Sequence, residues 1–255
     1  MQADKIGKAK KTMKGIILAA GVASRLRPLT DNLPKCLLEI GDRCLLERTV
    51  LNLLKHGIRD LIIVTGYLSD MIRSFMADRF PDVSVTFIHN DQYETTNNIY
   101  SLWLSRDHAT GHDMMLLDSD IVFDDRILKA LLSSPYENCL ALIRHELGEE
   151  EIKVIVDGKN KITEISKVCA ISKAIGESLG IEKFSKTLVD RLFDELEHMM
   201  LRENLVNVFY EKAFERIIKN GASIYPVDIT GLFSMELDTV ADFNQAKNAI
   251  PEHLL

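Results

Sequence analysis

The stretch Leu18-Ala19-Ala20-Gly21-Val22-Ala23-Ser24-Arg25-Leu26-Arg27-Pro28-Leu29-Thr30, closed by Pro34-Lys35, constrains this chain more than any other. The apolar run before it, Gly15-Ile16-Ile17-Leu18-Ala19-Ala20, predicts a parallel strand buried on both faces. The chain then enters a loop with one glycine, a hydroxyl and two arginines, and reaches a lysine. These are the parts a phosphate site needs. Small residues let backbone N–H groups approach phosphate oxygens, and cations neutralise the charge. The loop has neither Gly-Lys-Ser/Thr nor Gly-x-Gly-x-x-Gly, so it is neither of the two common phosphate-loop patterns. A small-residue turn after a strand is weak evidence by itself, and a solvated surface loop is the alternative.

The rest of the chain alternates strand and helix. Strands are predicted at 61–64, 83–88, 114–117 and 140–143, and helices at 45–55, 69–80 and 125–132. This rhythm argues for a doubly wound, mostly parallel α/β sheet with ligands beyond the strand ends. It changes after 145. Lys153–Asp157 and Lys161–Ile165 flank Gly158-Lys159-Asn160 and predict an antiparallel hairpin. A strand over 178–181, two helices over 183–201 and 208–219, a late strand at 224–227 and a helix over 240–249 complete the chain. Residues 14–250 then form one domain, with a nucleotide-binding half at 14–145, an acceptor-binding part at 146–232, and a return strand and helix at 233–250. The lysine-rich residues 1–13 are expected to form a disordered basic tail.

Net charge is −7, so no basic surface for nucleic acid is expected, and an anionic substrate must meet a local cluster of cations. No apolar run approaches the length of a membrane span. Cys36, Cys44, Cys139 and Cys169 form no Cys-x-x-Cys pair and are expected as reduced thiols of a cytoplasmic protein. Asp118-Ser119-Asp120 ends one strand, and an acid there requires solvent, a partner or a cation. Glu236-x-Asp238 places two carboxylates on one face of an extended segment. Asn90, Asn98 and Ser101 have capping roles as the plain alternative.

The whole string from Leu18 to Lys35 resembles the signature of the nucleotidyltransferases that couple nucleoside triphosphates to sugar phosphates and small alcohol phosphates. Asn97-Asn98-Ile99-Tyr100-Ser101-Leu102 further resembles the cytidylyltransferase branch acting on phosphocholine, aminoethylphosphonate or inositol phosphate. The resemblance implies a Rossmann-like fold and CMP transfer from CTP to a small phosphate or phosphonate, with pyrophosphate released. It implies nucleotide contacts from Leu18, Ala19, Ala20, Gly21, Ser24, Arg25, Lys35, Gly66, Tyr67, Asn90, Asn98, Ser101 and Asp120. Arg25 and Lys35 would clamp the phosphates, and Asp120 and Asp238 would hold Mg²⁺, with Asp118 behind them. Lys167, Glu211 and Glu236 are acceptor candidates. The hairpin strand reads Ile152-Lys153-Val154 where a choline-type relative places an aromatic; Lys153 and Lys167 suit a polyol phosphate, and the Glu149–Glu151 run suits an ammonium or plain solvent. Two other readings stay open: a sugar-1-phosphate nucleotidylyltransferase using UTP, dTTP or GTP, and a catalytically silent nucleotide-binding regulator. Either a monomer or a homodimer is compatible with the sequence.

Overall fold

The computed structural model describes residues 13–254. The tail expected at the start lies outside the described residues, except that Met13 already belongs to the first strand. Strand β1 (Met13–Ala19) leads through the opening loop to a short hairpin, β2 (Glu39–Ile40) and β3 (Arg43–Cys44), and helix α1 (Leu45–Lys55). Then come β4 (Asp60–Thr65), α2 (Ser69–Arg79), β5 (Ser84–His89), α3 (Asn98–Leu104), α4 (Arg106–Ala109) and β6 (Asp113–Asp118). The chain continues through β7 (Ile121–Phe123), α5 (Arg126–Ser133), β8 (Cys139–Ile143), the hairpin β9 (Lys153–Val156) and β10 (Ile162–Ser166), and β11 (Gly176–Phe184). It ends with α6 (Lys186–Leu201), α7 (Glu211–Lys219), β12 (Tyr225–Asp228), β13 (Ser234–Glu236) and α8 (Val240–Ala249).

One mixed, mostly parallel sheet runs β10-β9-β11-β6-β1-β4-β5, with β8 also pairing β11 and β12 pairing β8. β6, β1, β4 and β5 are parallel, and β11 lies antiparallel to β6, β8 and β9. The segment expected as a separate acceptor-binding part therefore contributes strands to the same sheet. Alternation along the central strands explains the two layers. Ile16, Leu18, Ile62 and Val64 face one core with α3, α6 and α7, whereas Ile17, Ala19, Leu61 and Ile63 face another with α1, α2 and α5. The late stripe Leu188, Leu192, Phe193, Leu196, Met199 and Met200 is buried in the first core.

Register fixes where the site forms. Leu18 lies opposite both Val64 and Asp118, and Ala19 opposite Thr65, so the C-terminal ends of β1, β4 and β6 are level. β1 continues to β4 on one side and has β6 on its other side, so the strand order reverses here. Open α/β sheets place a crevice at such a point. A third apolar cluster pins the opening loop to the end of the chain: fully buried Leu26 packs with Leu38, Ile40, Leu45, Val122, Leu237 and Phe243. α8 starts with a capping box, in which Asp242 N–H donates to Thr239 Oγ1 at 3.2 Å and Thr239 N–H to Asp242 Oδ2 at 2.7 Å.

Candidate active site

A cavity of about 570 Å³ opens over the level strand ends. Its wall takes Leu18, Ala19, Ala20, Gly21, Arg25 and Lys35 from the opening stretch, and Asp118, Ser119 and Asp120 from the end of β6. Glu236 and Asp238 enter from β13. That strand pairs antiparallel with β7, putting Glu236 opposite Ile121, and Leu237 N–H donates to the Asp120 carbonyl at 3.0 Å. Residues 118 positions apart thus meet through one short ladder.

The charges at this end are paired. Lys35, at the start of a short 3₁₀ turn after Pro34, places Nζ 2.9 Å from Asp120 Oδ2 and 3.0 Å from Asp238 Oδ1. Arg25 donates to the other Asp238 oxygen at 2.7 Å. Burial alone pulls the Lys35 ammonium down, but the two carboxylates outweigh it and hold its pKa above the ordinary lysine value. Burial likewise pushes Asp238 up, and Lys35 and Arg25 outweigh that, leaving it below the ordinary carboxyl value. The two acids converge on one cationic point, which is the donor chemistry Mg²⁺ takes from a protein when phosphates and water supply the other ligands. Among the described residues no group of three His, Cys, Asp or Glu forms an all-protein metal cage.

The loop itself is braced from β4. Tyr67 N–H donates to the Ala20 carbonyl at 3.1 Å, and its hydroxyl donates to the Thr30 and Asp31 carbonyls at 3.0 and 2.7 Å. Gly66 is needed for close approach: a Cβ there would lie 2.6 Å from the Ala20 carbonyl oxygen and 2.7 Å from Tyr93 Cβ. Gly21 differs, because a Cβ there would meet nothing within 4 Å. The protein itself sets no steric demand for glycine at 21, and the bare backbone leaves that part of the wall open to a ligand. Gly66 and Tyr67 do not line the cavity, nor does exposed Ser24. They shape or flank the loop.

The other end of the cavity carries acids that are buried. Glu211, the first residue of α7, is 5% exposed and its Oε2 has no partner. Burial pushes its pKa up to about 7. Burial, then Asp120, Glu177 and Asp238, push Glu236 up to about 8, against Lys35. Burial, then Asp120, Glu211 and Glu236, raise Asp118 well above the ordinary carboxyl value, although its Oδ2 accepts the Tyr210 hydroxyl at 2.9 Å. Gly180, at φ +74°, is what admits Asp118: a Cβ there would sit 2.7 Å from Asp118 Oδ2. Glu177 pairs with His145 at 2.7 Å, and the buried Ser178 hydroxyl has no partner.

Lys167 reaches this end, 3.2 Å from Glu150 Oε2 and 4.7 Å from the centre of the Phe209 ring. Lys153 does not. It is 1% exposed, and its ammonium donates to the carbonyls of Glu149, Glu151 and Lys167 at 3.1, 3.1 and 2.6 Å. All three protons tie the two loops at the cavity mouth together, so none is left for an acceptor phosphate. Phe209 supplies at the mouth an aromatic that the hairpin strand lacks.

The polar stretch after β5 forms the remaining wall. Asn90 is 1% exposed. Its amide donates to Thr96 Oγ1 and Ser101 Oγ, both at 3.1 Å, and its oxygen accepts Gln92 N–H at 2.9 Å. Asn90 therefore organises the loop and has no free amide proton for a base. Asn98 and Ser101 line the cavity, with Tyr93, Thr96 and Asn97 beside them. The sequence pattern pointed to the Asn97–Leu102 stretch, but it gave no signal for Phe209, Glu177 or Ser178.

A level-ended parallel sheet, a small-residue loop with two paired cations, and acids converging beneath them define a nucleotidyltransferase. Residues 14–143 match the nucleotidyl transferase family model, and the chain belongs to that family. It is 26% identical over 239 residues to the choline-phosphate cytidylyltransferase of Streptococcus pneumoniae, covering 93% of this chain and 98% of that one. Over 235 residues it is 25% identical to the 2-aminoethylphosphonate cytidylyltransferase of Lancefieldella rimae, covering 92% and 91%. The solved structure of the inositol-1-phosphate CTP transferase from T. maritima shares the fold, with a TM-score of 0.77 at 18% identity over 95% of this chain and 98% of that one.

Proposed function

We propose that the protein transfers CMP from CTP to a small phosphate or phosphonate acceptor, releasing pyrophosphate. The observation that carries this reading is the Arg25–Asp238–Lys35–Asp120 chain of ion pairs at the cavity wall. An acceptor oxyanion attacks the α-phosphorus, a new P–O bond forms, and the bond to the bridging α,β oxygen breaks with its electron pair leaving on pyrophosphate. The acceptor oxygen is already ionised near neutral pH, so no base is needed, and no histidine lines the cavity among the described residues. Lys35 and Arg25 neutralise the phosphates and the charge that grows on the leaving group. Asp120 and Asp238 would hold Mg²⁺, which when bound bridges phosphate oxygens and offsets their charge. Triphosphate entry draws Lys35 and Arg25 from the carboxylates towards the phosphates.

The acceptor end supports the choice of a small acceptor bearing an amine. Glu150, Glu151, Glu177 and Glu211 face one lysine there, with Phe209 at the mouth. An ammonium group satisfies both buried acids and an aromatic face. The test is pyrophosphate release with Mg²⁺, crossing CTP, UTP, dTTP, ATP and GTP against phosphocholine, phosphoethanolamine, aminoethylphosphonate, inositol phosphate, glycerol phosphate and sugar 1-phosphates. Turnover with CTP and an amine-bearing acceptor is expected. Turnover only with a sugar 1-phosphate replaces this reading, and nucleotide binding without release would favour a silent regulator.

A further inference from the structure

The cytidylyl reading leaves open how the base is chosen, and the following rests on that reading. Asn98 lines the cavity at the start of α3. Its Oδ1 accepts the backbone N–H of Tyr210 at 3.0 Å. A backbone N–H can only donate, so the oxygen must face Tyr210 and the amide cannot be turned over. Tyr210 is fully buried and held at a second point, since its hydroxyl donates to Asp118 Oδ2 at 2.9 Å. What Asn98 retains for a ligand is Nδ2 with its two hydrogens.

Its neighbours on the wall are biased the same way. Asn97 Oδ1 accepts the Asn98 N–H at 2.8 Å, which again leaves an NH₂ group. Ser101 Oγ accepts from Asn90 Nδ2 at 3.1 Å and keeps its own O–H. Thr96 Oγ1 accepts from Asn90 and donates to the Gln92 carbonyl at 2.8 Å, so it is fully used. The side chains of this stretch thus present donors to the cavity.

We infer that Asn98, locked oxygen-inward by Tyr210, is the residue that selects the base. A donor-only amide matches a pyrimidine whose N3 is a bare acceptor, as in cytosine. It opposes one whose N3 carries a hydrogen, as in uracil or thymine, because two donors then face each other. Asn98 reads the base and takes no part in the bond changes at phosphorus.

Asn98→Asp keeps an oxygen for Tyr210 and replaces the donor group with an acceptor. The ratio of kcat/KM for CTP over UTP should fall at least tenfold in Asn98→Asp, and by less in Asn98→Ala, with thermal unfolding checking the fold of both. The wild-type enzyme supplies a test that needs no variant: 3-deaza-CTP, which has C–H in place of N3, should bind at least tenfold more weakly than CTP. An unchanged CTP/UTP ratio in folded variants, or equal binding of CTP and 3-deaza-CTP, overturns the inference while leaving CTP use intact. A wild-type preference for UTP or dTTP instead brings down the cytidylyl reading beneath it.

Discussion

The two ends of the cavity handle charge in opposite ways. At the phosphate end, Lys35 and Arg25 hold Asp120 and Asp238 in direct pairs, and each partner keeps its charged form. At the acceptor end, Glu211 and Asp118 are buried without a cation in contact, and their pKa values are raised. The first end is organised before a ligand arrives, whereas the second becomes fully satisfied only when something brings positive charge. Pairing also has a cost for catalysis, since the lysine must leave two carboxylates to meet phosphate. A buried ion pair is held by hydrogen bonds and proximity, not by net desolvation, so a tetra-anionic triphosphate competes for it effectively.

The contrast can be broken most severely at Lys35. Lys35→Ala should lower kcat on the order of 10²–10³-fold through loss of the leaving-group cation. It should leave circular dichroism unchanged, and near-normal turnover would remove Lys35 from the reaction. Asp238→Asn should come next: it removes charge from the cation point while keeping the shape, so the magnesium concentration for half-maximal rate should rise severalfold. An unchanged magnesium titration would take Asp238 out of the metal site.

The join between the opening loop and the chain's end is tested by Leu26→Ala, which empties a fully buried position. It should cost about 2–5 kcal/mol of stability in urea unfolding, and nucleotide binding should weaken with it. A stable variant with weak binding would separate the loop's shape from its packing. At the acceptor end, the folded Glu211 carboxyl binds its proton up to about pH 7 whereas the unfolded one releases it near pH 4.5. The folded state therefore holds more protons in that window, and stability falls as pH rises through it. Glu211→Gln should remove this slope and be worth up to about 3 kcal/mol at pH 8 relative to pH 5. Identical melting profiles for variant and wild type across pH 5–8 would show that the carboxyl is not the source. The smallest effect is expected at the α8 cap, where Thr239→Ala should cost about 1 kcal/mol and shift the melting midpoint without altering nucleotide preference.

The same division describes what the sequence reveals. The phosphate end is legible because its parts are local: Leu18 to Lys35 is one strand, one loop and one turn, and Asp120 ends a strand that periodicity marks by itself. Asp238 is legible through a second short pattern. The acceptor end is assembled by β11 inserting antiparallel beside β6 and by Tyr210 carrying α7 against Asn98 and Asp118. No local spacing encodes those contacts. Lys153 and Asn90 show the limit most clearly. Both are residue types that bind ligands, both sit in the right segments, and both have their hydrogen-bonding groups used within the protein. Which lysine or asparagine is free depends on carbonyls and hydroxyls supplied by distant parts of the chain.

The central claim is that the paired end of this cavity makes a phosphorus–oxygen–phosphorus bond between CMP and the acceptor. ³¹P NMR of the enzyme with CTP, Mg²⁺ and an amine-bearing acceptor tests it directly. The account predicts a new pair of coupled diphosphate resonances, or a phosphonate–phosphate pair with aminoethylphosphonate, appearing in step with pyrophosphate. Free CMP as the only nucleotide product, or no change in the CTP resonances while the protein demonstrably binds CTP, would contradict it.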